Sequence, residues 1–184
     1  LKQWLDVSLT KLDEYEARLL HLLPQELEVW QYAWNEEELK MYFIASLIRI
    51  ANINEKGVIG TFFERKLKGI VNNITISVTC DCMIAKTKLS GDPDLPFFFL
   101  QAFKRSKGDS HDPEGQMLAA MILAQSLNQN GKTMYGSWIQ GRFWYFTTLI
   151  QQDYCVSKPL DATNENDLWK IVFILKKLKT LVIN

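Results

Sequence analysis

Apolar residues recur at helical spacing near the start of the chain, at Trp4, Leu5, Leu9, Leu12, Tyr15, Leu19 and Leu20, and Pro24 interrupts the pattern. Asn35, followed by Glu36, Glu37 and Glu38, reads as an N-cap with its capping-box partner. It opens a helix through Met41, Phe43, Ile44, Leu47 and Ile48. Acids in a first helical turn complement the helix dipole, so these three are read as a helix start and not as metal ligands. From about Asn54 the pattern becomes an α/β alternation. Ile59, Phe62, Phe63, Leu67 and Ile70 predict a helix with Glu64 at the edge of its apolar face, ending at Asn72-Asn73. Ile74 to Ala85 predicts one bent strand or two short ones, and Phe97 to Leu100 opens a buried strand after Gly91, Pro93 and Pro96. Asp112-Pro113 caps the next helix, which carries Met117, Leu118, Ala120, Met121, Ala124 and Leu127. Strands follow at Met134 to Gln140 and Arg142 to Ile150, with a short third at Tyr154 to Ser157. Thr163 or Asn164 caps a last helix, with Lys176, Lys177 and Lys179 placed late as its dipole prefers. The resulting class is α/β: a helical extension over 1–53 and a core over 54–184, forming one compact unit.

Composition narrows this picture only a little. The chain of 184 residues is 47% hydrophobic, and its 21 basic and 21 acidic residues balance, so any polyanion must be held by a local patch. Three cysteines without disulfide spacing point to a reducing, cytoplasmic setting. Cys80 and Cys82 are placed on one strand face by alternation and read as small packing residues, because a lone C-x-C is a poor zinc signal. Leu1-Lys2-Gln3-Trp4 does not resemble a signal peptide, and the lack of an initiator Met predicts residues in front of it. No run approaches the roughly 20 apolar residues of a membrane span, so no membrane partner is expected.

The chemistry-bearing stretch is Thr79 to Lys104. A hairpin connection symmetric about Gly91-Asp92 sets Asp81 opposite Ala102, and alternation brings Lys104 to the same face. Asp94 of Pro93-Asp94 lies up to roughly 26 Å from position 102 along an extended chain and is assigned to the turn. Gln101 points away from Lys104. The cluster Lys104, Arg105 and Lys107 is read as a phosphate grip, with a lone His111 beyond it. The aromatic run Phe143-Trp144-Tyr145-Phe146 is assigned to sheet packing and not to base stacking.

Asp81 on one strand and Ala102-Phe103-Lys104 on the next resemble the PD-(D/E)XK nuclease superfamily, in which an acid precedes an acid-x-Lys triplet. Further segments extend the resemblance: Asn35-Glu-Glu-Glu-Leu-Lys-Met, Phe62-Phe63-Glu64-Arg65, Asp112-Pro113-Glu114-Gly115-Gln116, and Tyr135-Gly136 through Gly141-Arg142-Phe143-Trp144. Together they are similar to uncharacterised bacterial proteins of that nuclease-like fold, in which Glu-x-Lys is expected at this strand. The resemblance implies a restriction-endonuclease-like central mixed sheet flanked by helices. It also implies Mg²⁺ or Mn²⁺ held by Asp81, with Glu64 as an additional acid, and a nucleic-acid substrate, DNA ahead of RNA. Lys104 would activate the attacking water, and Gln116 would face the site from the following helix. Mg²⁺ asks for about six oxygen ligands, which carboxylates, waters and phosphates supply. Ala102 departs from the pattern where a second carboxylate is expected, whether natively or by substitution. The implied activity is therefore metal-dependent phosphodiester hydrolysis in impaired form; the alternative is a non-catalytic nucleic-acid- or protein-binding module on the same frame.

Overall fold

A computed structural model describes residues 1–8, 12–104 and 112–183. Helices α1 (Lys2–Leu5) and α2 (Glu14–Trp30) come first, followed by a rod made of α3 (Glu36–Glu38), a π-helical segment (Leu39–Ile44) and α4 (Ala45–Ala51). Strands β1 (Ile59–Val71), β2 (Ile74–Thr87) and β3 (Pro93–Lys104) follow, then α5 (Pro113–Asn128). Next come β4 (Met134–Gln140), β5 (Phe143–Ile150), β6 (Asp153–Val156) and β7 (Leu160–Asp161), and α6 (Glu165–Ile183) closes the chain. The sheet runs β1-β2-β3-β4-β5-β6, with β7 also paired to β5. Among the described residues only the β3–β4 pairing is parallel, and α5 lies in the crossover that a parallel pair requires. The protein is thus mixed α/β, a mixed sheet flanked by helices.

Two apolar layers cover the sheet. On one face, Trp4, Leu20, Phe43 and Leu175 from the helices meet Cys82, Phe99, Trp144 and Phe146 from the strands. Residues 1–53 therefore build the same buried cluster as the sheet. On the other face α5 lays Met117, Ala120, Met121 and Ala124 against Met83, Ala85, Ala102 and Trp138.

Several expectations are overturned. The segment 59–70 is a strand and not a helix: β1 pairs antiparallel with β2 from Ile59↔Lys86 to Val71↔Ile74. Asn72 and Asn73, both at positive φ, form the tight turn of that hairpin and do not end a helix. Helical spacing in this segment was produced by a break in strand alternation. Phe63 and Arg65 pair with Cys82 and Cys80, but the rung between them, Glu64 opposite Asp81, is absent, and Glu64 has φ of 52°. On one side of the break Phe63, Cys82 and Ile84 face the helical layer; beyond it Leu67, Val78 and Cys80 face α5. Cys80 and Cys82 therefore belong to opposite layers, contrary to the shared face that simple alternation gives.

Pro24 does not end the second helix, because buried Leu20, Leu23 and Leu27 hold both sides of it. That burial outweighs the roughly 3 kcal/mol that an interior proline costs. Of the apolar spacing from Trp4 to Leu20, Trp4 and Leu5 fall in α1 and Tyr15, Leu19 and Leu20 in α2, which an Asp13 capping box opens; Leu12 lies between them and Leu9 outside the described residues. Asn164 caps α6 by accepting from the Asp167 N–H. The helix outruns its lysines, which serve as tertiary ties and not as a last turn: Lys176 binds Glu16 at 3.0 Å, Lys177 the Asp6 carbonyl at 2.6 Å, and Lys179 Glu55 at 3.1 Å. Among the described residues no helix is long and apolar enough to cross a membrane.

Candidate functional site

The site lies where β2 leaves β3. The β2–β3 ladder ends at Cys82↔Gln101, and its register would set Asp81 opposite Ala102 one step further, where the strands no longer pair. The register assumed from the sequence is thus reached, but by another route. Near the turn Lys86 pairs with Asp94 and Thr87 with Pro93, and bulges around Ala85 shift the strands into the register that sets Asp81 against position 102. Asp94 is accordingly a strand residue opposite Lys86, and not a turn residue. Past the fork, β3 continues against β4 alone, with Ala102↔Trp138 and Lys104↔Gln140.

Asp81 repairs the fork. Its Oδ2 accepts the Phe103 N–H at 2.6 Å, replacing the carbonyl that β2 would have offered had the ladder continued. Burial pushes its carboxyl above the ordinary aspartate range. The Phe103 N–H and the charge of Lys104 pull it back, and Glu64 adds to the upward push.

A chain of alternating charges surrounds this carboxylate. Lys104 Nζ donates to Glu36 Oε1 at 2.9 Å. Lys40, 7% exposed, donates to Glu37 at 2.8 Å and also to Glu64. Burial works against the Lys40 charge, but hydrogen bonds from Glu37 and Glu64 prevail and its pKa rises. The π-helical segment turns Lys40 inward, flanked by the buried Leu39, Phe43 and Ile44. Glu64 sits on β1, not on a helix, and its left-handed backbone sets it beside Asp81.

Glu36 and Lys40 were missed as site residues. The capping acids satisfied a local reading, since Asn35 and Glu38 do form the box. The available signal was a lysine on the apolar face of the helix, which called for a buried acidic partner.

Ala102 is 2% exposed and lies in the α5 layer with Met83, Met117 and Trp138. Gln116 is half-buried on α5 and, among the described residues, its side chain hydrogen-bonds to neither Asp81 nor Lys104. Gln101 faces the other layer as expected, donating to Ser137 Oγ at 2.6 Å. Arg105, Lys107 and His111 lie outside the described residues. The aromatic run packs the sheet: Trp144 and Phe146 are buried, and Tyr145 stacks on Trp138 with centroids 3.6 Å apart.

These residues do not make a metal site as they stand. No three acid, histidine or cysteine side chains converge to hold an ion among the described residues. Asp81 spends one oxygen on Phe103, Glu36 and Glu64 face lysines, and position 102 has no ligand atom. Cys80 and Cys82 are no substitute. Burial drives the Cys80 thiol up to about 12 and the Cys82 thiol higher still, so both stay protonated. No family model and no curated protein matches this chain.

Proposed function

We propose that this chain is a nucleic-acid-binding protein on a degenerate PD-(D/E)XK-type nuclease frame, with metal-dependent phosphodiester hydrolysis impaired by Ala102. The observation that carries the reading is the meeting of Asp81 and Lys104 at the β2–β3 fork, with position 102 as the missing partner. Acid, vacancy and lysine stand in the order that the resemblance implies, on the two strands it implies, within a mixed sheet flanked by helices. Under this reading Lys104 faces a bound phosphate and Asp81 is the surviving carboxylate. DNA is the expected substrate ahead of RNA, and a cytoplasmic setting goes with three free cysteines, two of them buried.

Restoring the acid tests the proposal. Ala102→Glu should gain Mg²⁺- or Mn²⁺-dependent cleavage of plasmid DNA that the unaltered chain lacks, and adding Asp81→Asn should abolish the gain. A folded Ala102→Glu protein with no metal-dependent cleavage of DNA or RNA would reject the nuclease ancestry of the site. A second reading is favoured by the burial of Ala102 and by the glutamates that already engage Lys40 and Lys104: a binding module without chemistry. It is distinguished by nucleic-acid binding that persists while Ala102→Glu stays inert.

A further inference from the structure

We infer that the outer arm of the β1–β2 hairpin is a docking surface for the phosphate backbone of duplex DNA. The choice of ligand rests on the proposed function; the surface itself stands on independent observations. Beyond the break at Glu64 and Asp81, residues 65–71 pair with 74–80. This arm carries Arg65, Lys66 and Lys68 and no acid. The whole chain is balanced at 21 of each sign, so everything outside the arm is net acidic.

The arm's two faces differ. Leu67, Val71, Ile76, Val78 and Cys80 pack toward α5. Gly69 lets the helix come close: a Cβ there would stand 2.8 Å from Leu123 Cδ1. The ribbon is therefore held against a helix and does not swing free. Its other face presents Lys66, Lys68 and Ile70, with Thr79, Ser77 and Thr75 directly opposite on β2, all exposed. No carboxylate of the described residues pairs with Lys66 or Lys68, whereas Lys40, Lys104 and Lys176 are each committed to a glutamate.

The chemistry of this face selects the ligand. Two lysines on one strand face stand about 6.7 Å apart. Hydroxyls flank them and can donate to phosphate oxygens. The face has no aromatic ring on which unpaired bases could stack, which turns the choice from single strands to a duplex backbone. With its other side closed by α5, the ribbon offers a duplex this face alone. Its root is the break at Glu64 and Asp81, beside the fork.

The test is binding of a short labelled DNA duplex of mixed sequence, followed by fluorescence anisotropy across a salt titration. Lys66→Ala/Lys68→Ala should weaken binding about tenfold or more and reduce the slope of log affinity against log salt by about 2. Lys66→Arg/Lys68→Arg should retain both. Lys86→Ala/Lys88→Ala, at the opposite end of the same hairpin, should change neither. Absent binding by the unaltered chain, an unchanged slope in the arm variant, or equal losses in the two alanine variants would each overturn the inference. An inert Ala102→Glu protein that still binds through the arm would remove the nuclease reading and leave the arm standing.

Discussion

The helical layer on one face of the sheet and the α5 layer on the other are built of different material. The first contains Trp4, Phe43, Phe99, Phe103, Trp144 and Phe146, and no methionine. Trp4 sets its ring edge-to-face against Tyr135 and Phe146, with centroids 5.0 and 5.2 Å away, and donates its indole N–H to the Ile174 carbonyl at 2.9 Å. The second holds Met83, Met117, Met121 and Met134, four of the chain's five methionines, interleaved with Ala85, Ala102, Ala120 and Ala124. Gly136 lets two of those sulfurs close on β4: a Cβ there would stand 2.9 Å from Met121 Sδ and 3.1 Å from Met117 Sδ. Rings in fixed geometry specify one arrangement, whereas unbranched thioethers adapt. Ala102 packs into the adaptable layer, so a larger side chain there would be met by methionines that can shift.

The largest effect should separate the layers directly. Phe99→Ala should cost about 3 to 5 kcal/mol, and Met121→Leu less than about 1.5 kcal/mol, in urea denaturation. Equal losses would erase the distinction. Asp81 stands at the seam of the two layers, and its effect should be smaller and pH-dependent. Because its carboxyl is raised on folding, the native state holds the proton more tightly than the unfolded chain. Its ionisation therefore lowers stability as pH rises from the ordinary aspartate range through the raised value. Asp81→Asn keeps an acceptor for Phe103, so it should be the more stable protein at pH 7, with the difference closing on acidification. A gap that widens in acid would mean the carboxylate is stabilised by its lysines and not penalised by burial. The mildest perturbation uses the cysteines, which report on each layer without mutation. In alkylation followed by mass spectrometry, exposed Cys155 should react first, Cys80 of the methionine layer later and Cys82 last. Reaction of Cys82 before Cys80 would reverse the assignment of the softer face.

Much of the fold was legible because local signals agreed with the tertiary structure. Asp112-Pro113 opens α5, and β4 and β5 follow their apolar runs. β1 was misread for a specific reason. Ile59, Phe62 and Leu67 are buried, but Ile59 serves the helical layer whereas Phe62 and Leu67 serve α5. Burial on both faces gives the interval of three from Ile59 to Phe62, and the slip gives the interval of five from Phe62 to Leu67 on one face; together they imitate a helix. At the site, Asp81 and Lys104 were legible from strand register. Glu36 and Lys40 were not, because their partners are distant in sequence: Lys104 and Glu64, respectively. Glu64 was named as a candidate, but its strand setting depends on a positive φ that no residue type announces.

The slipped rung also sets a rule for lengthening or trimming the hairpin. Alternation carries a phase, and at Glu64 and Asp81 both strands shift it together, so the arm's orientation is fixed from that rung outward. Removing two residues from each strand of the arm preserves the phase and only shortens its reach. Removing one from each at the root, Arg65 and Cys80, exchanges the faces, turning Leu67 and Val78 to water and driving lysines into α5. Parity, more than length, is the coordinate in which this hairpin can vary.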